Sequence, residues 1–232
     1  MNKKNKYSIL VATAFSFFLI VPPAAISKSA GESEGQVTRK ISQPAKSEPI
    51  KVAAVGTTGF GFSDAASGLK MTVDQVLEIV TDENLKKDAK SRQLALKNVI
   101  GKRFDFRQMA MHTLDSDWGS HSRKEQKQFT GLFKKLLEKS YLHIIENFQG
   151  GKVHFLSERV KGDYAFIKTN IVSPDRTIAI HYKLKRDGKD WRVYDFLVQG
   201  VSMARNYRFQ FSKVIRQESF QGLLKRLKEQ TA

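Results

Sequence analysis

An α+β domain is the fold class this sequence predicts: helices first, then a four-stranded antiparallel twisted sheet, then helices, together enclosing an apolar cavity. Three observations carry it. Apolar residues recur at helical spacing from Thr72 to Phe148. The period switches to two between Lys152 and Val198, and helical spacing returns after Val201. Hairpin-length connections make the strands a meander, and helices gathered before and after one sheet are α+β order.

The helices come in order. Thr72-Val73-Asp74-Gln75 reads as a capping box, with Val73, Val76, Leu77 and Val80 following at i, i+3, i+4 and i+7. A second helix is expected over about 88–101, with Leu94, Ala95 and Val99 on its apolar face. A short third one after Asp105 places Phe106, Met109 and Ala110 together. Ser122-Arg123-Lys124-Glu125 opens the longest helix, whose apolar stripe from Phe129 to Phe148 lasts until Gln149-Gly150-Gly151 ends it.

The strands follow. They are expected at Lys152 to Arg159, around Ala165 to Ile171, around Ile178 to Leu184, and at Trp191 to Val198. Ser173-Pro174-Asp175 and Asp187-Gly188 supply turns between them. Two helices, about 201–215 and 219–229, close the chain.

Before all this lie two segments of different character. Lys3, Lys4 and Lys6 precede an uncharged apolar run from Ile9 to Val21, and Ala25-Ile26-Ser27 puts small residues after Pro22 and Pro23. That is the three-part pattern of a secretory signal over 1–27, and the run is short for a bilayer span. Export to the periplasm is the expectation, with a mature chain starting near Lys28. Residues 28–70 are rich in Ser, Gly, Ala and Lys without apolar period, and read as a flexible linker. Its Gly59-Phe60-Gly61-Phe62 lacks the strand and glycine spacing of a dinucleotide motif. The domain is placed at 71–232.

Composition narrows the chemistry. The 232 residues contain no cysteine, which removes disulfides, thiol catalysis and thiolate metal sites. A formal charge of +17 suits anionic surfaces, while export argues against nucleic acid. The histidines 112, 121, 143, 154 and 181 have no metal-protease spacing, and no Gly-x-Ser-x-Gly elbow or phosphate loop is present. No catalytic, metal or cofactor set emerges. Asp195 lies between Tyr194 and Phe196 in an apolar strand, so it needs a partner, either as a structural ion pair or as a general base. Ser202 is the one serine a hydrolase reading would use.

Apolar faces are in excess. Met109, Phe133, Leu137 and Tyr141 represent the inner faces of the helices. Ile167, Ile171, Ile178, Ile180, Tyr182, Tyr194, Phe196 and Val198 represent the sheet, with Val201 and Tyr207 beyond it. These residues either fill one closed core or wall a cavity for a greasy ligand.

Three ordered blocks then carry a resemblance. They are Arg103-Phe104-Asp105-Phe106 with Met109-Ala110 and Trp118; Asp190-Trp191-Arg192-Val193-Tyr194-Asp195 with Gln199-Gly200-Val201-Ser202-Met203 and Asn206-Tyr207-Arg208; and Phe220-Gln221-Gly222-Leu223 through Leu227-Lys228. Over about 72–228 the chain resembles the MlaC family of periplasmic phospholipid carriers. It departs from the common pattern at Ser122-Arg123, at Gln199 and in its long 28–70 segment. The resemblance implies a nuclear-transport-factor-like fold and acyl chains held between sheet and helices. It implies a shuttle between outer and inner membranes. The partners would be an outer-membrane lipid-transfer complex and an inner-membrane ABC transporter complex with an MCE-domain subunit. Another lipid such as a hopanoid is the alternative cargo, and a periplasmic hydrolase the alternative function.

Overall fold

The computed structural model describes residues 63–146, 151–174 and 176–232. The expected signal, the expected linker up to residue 62 and the expected Gln149-Gly150 helix stop lie outside them. The helices before the sheet are α1 (Asp64–Thr81), α2 (Glu83–Lys87), α3 (Ala89–Arg103), α4 (Phe106–Leu114) and α5 (Arg123–Glu146), with a 3-10 turn Asp115–Ser120 between the last two. The strands are β1 (Lys152–Lys161), β2 (Tyr164–Ser173), β3 (Arg176–Asp187), β4 (Asp190–Val198) and β5 (Val201–Ser202). The last helix, α6 (Met203–Thr231), is broken at Ser219, where φ is 73°. Helices flanking an antiparallel meander in the order β1-β2-β3-β4-β5 make the expected α+β domain. Among the described residues the sheet has five strands rather than four, because Val201 and Ser202 pair with Val198 and Leu197 before α6 begins.

The first helix corrects the expected domain boundary. It starts at Asp64, so residues 64–70, assigned to the linker, are helical. The cap is Ser63, whose hydroxyl accepts from the Ala65 N–H at 3.2 Å. Glu158 of β1 completes it, accepting from the Ser63 N–H at 3.1 Å, from the Ala66 N–H at 3.2 Å and from the Ser63 hydroxyl. A carboxylate at a helix N-terminus satisfies orphan donors and complements the dipole. Thr72 is no cap: it is buried, donates to the Gly68 carbonyl at 3.1 Å and accepts from Arg103 Nε at 2.9 Å. The Ser122–Glu125 capping box does form, with both reciprocal bonds present.

Burial places the core. Ala65, Ala66 and Leu69 of α1 lie on Ala165, Ile167, Leu184, Trp191 and Val193 of the sheet. Two alanines let the helix backbone approach the strands closely. On α3 one residue of the expected face points out: Leu94 is 61% exposed, Ala95 and Val99 are partly buried, and Leu96 packs with Val80 and Leu142. A second, helical core is aromatic. Phe133 meets Tyr207 and Phe211 edge-on at 5.2 and 5.8 Å, and Phe129 stacks on Phe133 at 5.9 Å. Such pairs contribute about 0.5–1.5 kcal/mol beyond their buried area.

Candidate functional site

Cross-strand register lines up one face of the sheet in rows. Ala165, Leu184 and Val193 form one row; Ile167, Tyr182 and Phe196 the next; Thr169, Ile180 and Val198 the third; Val153, Ile171 and Ile178 the last. At the first row α1 seals the face, and those residues are buried. Toward the last row the seal opens. Phe196, Ile180, Val198, Ile171 and Ile178 all retain accessible surface although they share the face with the core. Helical aromatics stand over the same region: Tyr141 meets Phe196 edge-on at 5.5 Å, and Phe104 does so at 6.1 Å. Phe106 stacks near Phe104 at 6.3 Å, with the Lys134 ammonium 5.3 Å from its ring. This half-buried apolar face between the sheet and the helices is the candidate cleft. Beyond its last row, Gly151, Lys152, Val172, Ser173 and Pro174 line a depression open to solvent.

Tyr182 sits where sealed and open regions meet. It packs on the core beneath α1, and burial pushes its phenol up to about 12. It nonetheless keeps some accessible surface. The Tyr141 phenol is also raised by burial and donates to Met203 Sδ at 3.3 Å. The buried Thr169 hydroxyl donates to the Ile180 carbonyl at 2.6 Å.

The candidate wall residues separate into groups. Tyr141, Ile171, Ile178, Ile180, Tyr182, Phe196 and Val198 come together around the cleft. Met109, Phe133, Leu137 and Tyr207 are buried in the helical packing, and Ile167 belongs to the sealed end. Val201 is 43% exposed on the edge strand, opposite Val198. Tyr194 leaves the face altogether. The register shifts between Lys183 and Leu184, where Asp195 and Val193 are the partners, so Tyr194 is the extra residue of a bulge. Its ring lies against Tyr164 and His112, and Val193 and Trp191 take the inward positions. Phe104, Phe106 and Phe155 join the cleft region without having been singled out for it. The first two stand in the Arg103-Phe104-Asp105-Phe106 block, and Phe155 alternates along β1.

That block explains how the helical wall is held. Arg103 donates to Thr72 Oγ1 and, at 2.6 Å, to the Trp191 carbonyl, tying α1 and α3 to β4. The Asp105 N–H donates to the Val193 carbonyl at 2.9 Å, while its carboxylate caps α4 by accepting from Gln108 N–H. Phe104 between them is thereby fixed over Phe196.

Asp195 and Ser202 have structural partners. The carboxylate accepts from the Ser202 hydroxyl at 2.7 Å, the Ala204 N–H at 3.0 Å and the Lys183 ammonium at 3.0 Å. The Ser202 oxygen accepts from the Arg205 N–H at 3.2 Å, capping α6. Its proton points at a carboxylate that Ala204 and Lys183 also engage, with no histidine between them.

Comparison with known proteins adds the following. A family model described as MlaC protein matches residues 70–229. The intermembrane phospholipid transport system binding protein MlaC of Haemophilus influenzae is 25% identical over 122 residues, or 50% of this chain. The match spans 57% of that relative's length. A solved structure of the phospholipid-binding protein from Ralstonia solanacearum, in complex with a phospholipid, superposes with a TM-score of 0.67. It is 25% identical and the match covers 73% of this chain and 97% of that one.

Proposed function

The chain belongs to the MlaC family, and on that premise we propose that it is a non-catalytic carrier that binds a phospholipid and ferries it through the periplasm between outer and inner membranes. The observation that carries this reading is the half-open apolar face of the sheet. Ile171, Ile178, Ile180, Phe196 and Val198 are aligned, and they keep accessible surface beneath helical aromatics. A close-packed core leaves no such surface. Acyl chains fit the need on both sides, since each methylene withdrawn from water gains about 0.8 kcal/mol. A carrier of this kind hands its cargo on, so its partners are a lipid-transfer complex at the outer membrane and an ABC transporter complex at the inner one.

Organic extraction of the purified protein followed by mass spectrometry tests the proposal. A phospholipid bound in stoichiometric amount is expected. A hopanoid in its place would change the cargo and keep the carrier. Protein that holds no lipid and takes none from vesicles would refute the reading.

A further inference from the structure

The first half of α6 presents an unusual face to solvent. Arg205, Phe209, Lys213 and Arg216 are all exposed, Phe209 at 73%, more than any other large apolar side chain among the described residues. At 100° per residue these four positions fall within a single narrow stripe. Phe209 therefore stands between cations one turn before and one turn after it. From Met203 to Gln217 the helix has no acidic residue, and Glu218 is paired with Arg226. Among the described residues no carboxylate lies within ion-pair distance of Arg205, Lys213 or Arg216. The neighbouring Arg208 differs: it bonds Asp115 at 3.1 Å and the His112 carbonyl, and so is anchored to the protein.

From this stripe we infer that α6 docks the protein on an anionic lipid bilayer, with Phe209 entering the headgroup layer and Arg205, Lys213 and Arg216 meeting phosphates. A single exposed apolar side chain is common on soluble proteins. Its enclosure by three unpaired cations, on a face without acids, is the pattern of an interfacial anchor. The stripe has one aromatic, too little for the buried centre of a stable protein–protein interface. On the opposite side of the helix, the buried Met203 accepts the hydrogen bond from Tyr141 and holds α6 against the cleft wall. This surface is separate from the cleft, so the two readings are tested independently.

The test uses vesicles of phosphatidylcholine alone and of phosphatidylcholine with phosphatidylglycerol. The protein is expected to sediment with the mixed vesicles only, and to be released as salt shortens the Debye length from about 10 Å at 0.1 M to about 3 Å at 1 M. Arg205→Ala, Lys213→Ala and Arg216→Ala are each expected to weaken binding about fivefold, the equivalent of one cation at an anionic surface. Phe209→Trp supplies a direct readout, because Trp118 and Trp191 are buried and contribute a constant background. Its emission is expected to move to the blue on anionic vesicles alone. Ile180→Trp, which obstructs the cleft, is expected to leave sedimentation unchanged and so separates docking from lipid uptake. Wild-type protein that ignores anionic vesicles, or a Phe209→Trp emission that stays fixed while the protein sediments, would overturn the inference and leave the stripe to a protein partner.

Discussion

The Ser202 hydroxyl donates to the Asp195 carboxylate across 2.7 Å, and this bond joins the last full strand of the sheet to the first turn of α6. Asp195 is 3% exposed, so its replacement strands several donors at once. Asp195→Ala is expected to destabilise by about 3 kcal/mol, the lower end for a broken buried pair because Lys183 is partly exposed. Asp195→Asn keeps one acceptor oxygen, for the Ala204 N–H, and loses the one that Ser202 and Lys183 share, so it is expected to cost about 1–3 kcal/mol. Ser202→Ala removes the helix cap, at about 1 kcal/mol. Urea denaturation gives the order. A hydrolase reading predicts instead that Ser202→Ala abolishes ester turnover, and bound lipid content should show no change.

His112 should make the fold weaken in mild acid. Its pKa is lowered, first by burial and then by the charges of Arg208 and Lys183, against the opposing pull of Asp195. A lowered histidine binds its proton more readily unfolded than folded. Stability is therefore full above the ordinary value of about 6.5 and falls as pH drops below it toward the folded value. His181 shifts in the same direction, through burial and Lys168. Denaturation midpoints between about pH 8 and about pH 5.5 should decline, and His112→Gln should flatten part of the decline. A midpoint that rises on acidification would contradict this assignment.

Two helical glycines should respond oppositely to alanine. A Cβ at Gly68 meets Arg103 Nη1 and Nη2 at 3.1 Å each, and Arg103 is held by Thr72 and Trp191. At Gly131 on α5 a Cβ meets nothing within 4 Å. Alanine in a helix interior gains about 1 kcal/mol over glycine. Gly131→Ala should realise that gain in its thermal midpoint. At Gly68 overpacking of about 1–3 kcal/mol works against it, and a net loss is expected.

What was legible in the sequence divides by the range of the interaction involved. The Ser122–Glu125 box and the alternation of Ile178, Ile180, Tyr182 and Leu184 are local signals, and both appear in the fold as read. The start of α1 is not local: Ser63 is completed by Glu158, which lies 95 residues away. Thr72 imitates a cap because its hydroxyl serves Arg103 instead. The bulge at Tyr194 is equally hidden. It lets Asp195 face Ser202 and Lys183 while Val193 and Phe196 both face inward, a compromise set by tertiary contacts. Periodicity identified the apolar faces of sheet and helices, yet could not divide them into sealed and open parts. That division depends on how far α1 extends over the sheet. Ile167 and Ile180 are equivalent in the alternation pattern, and only the sealing by Ala65, Ala66 and Leu69 near Ile167 distinguishes them.

That distinction supplies the decisive contrast. Phe133 is fully buried among Phe129, Tyr207 and Phe211, so Phe133→Ala opens a void in close packing and should cost about 3–5 kcal/mol. The lipid carried by each molecule that still folds should not change. Ile180 borders the cleft, and Ile180→Trp puts an indole where the proposal places an acyl chain. In a closed core that enlargement would force strain of about 1–3 kcal/mol. In an open cleft the ring has room, so delipidated protein should keep its stability to within about 1 kcal/mol while copurifying lipid falls. Stability is read by denaturation of delipidated protein, and occupancy by mass spectrometry of the extract. Should Ile180→Trp unfold the delipidated protein while its folded fraction carries normal lipid, Ile180 would belong to solid core. The cleft would then have to lie elsewhere in the domain.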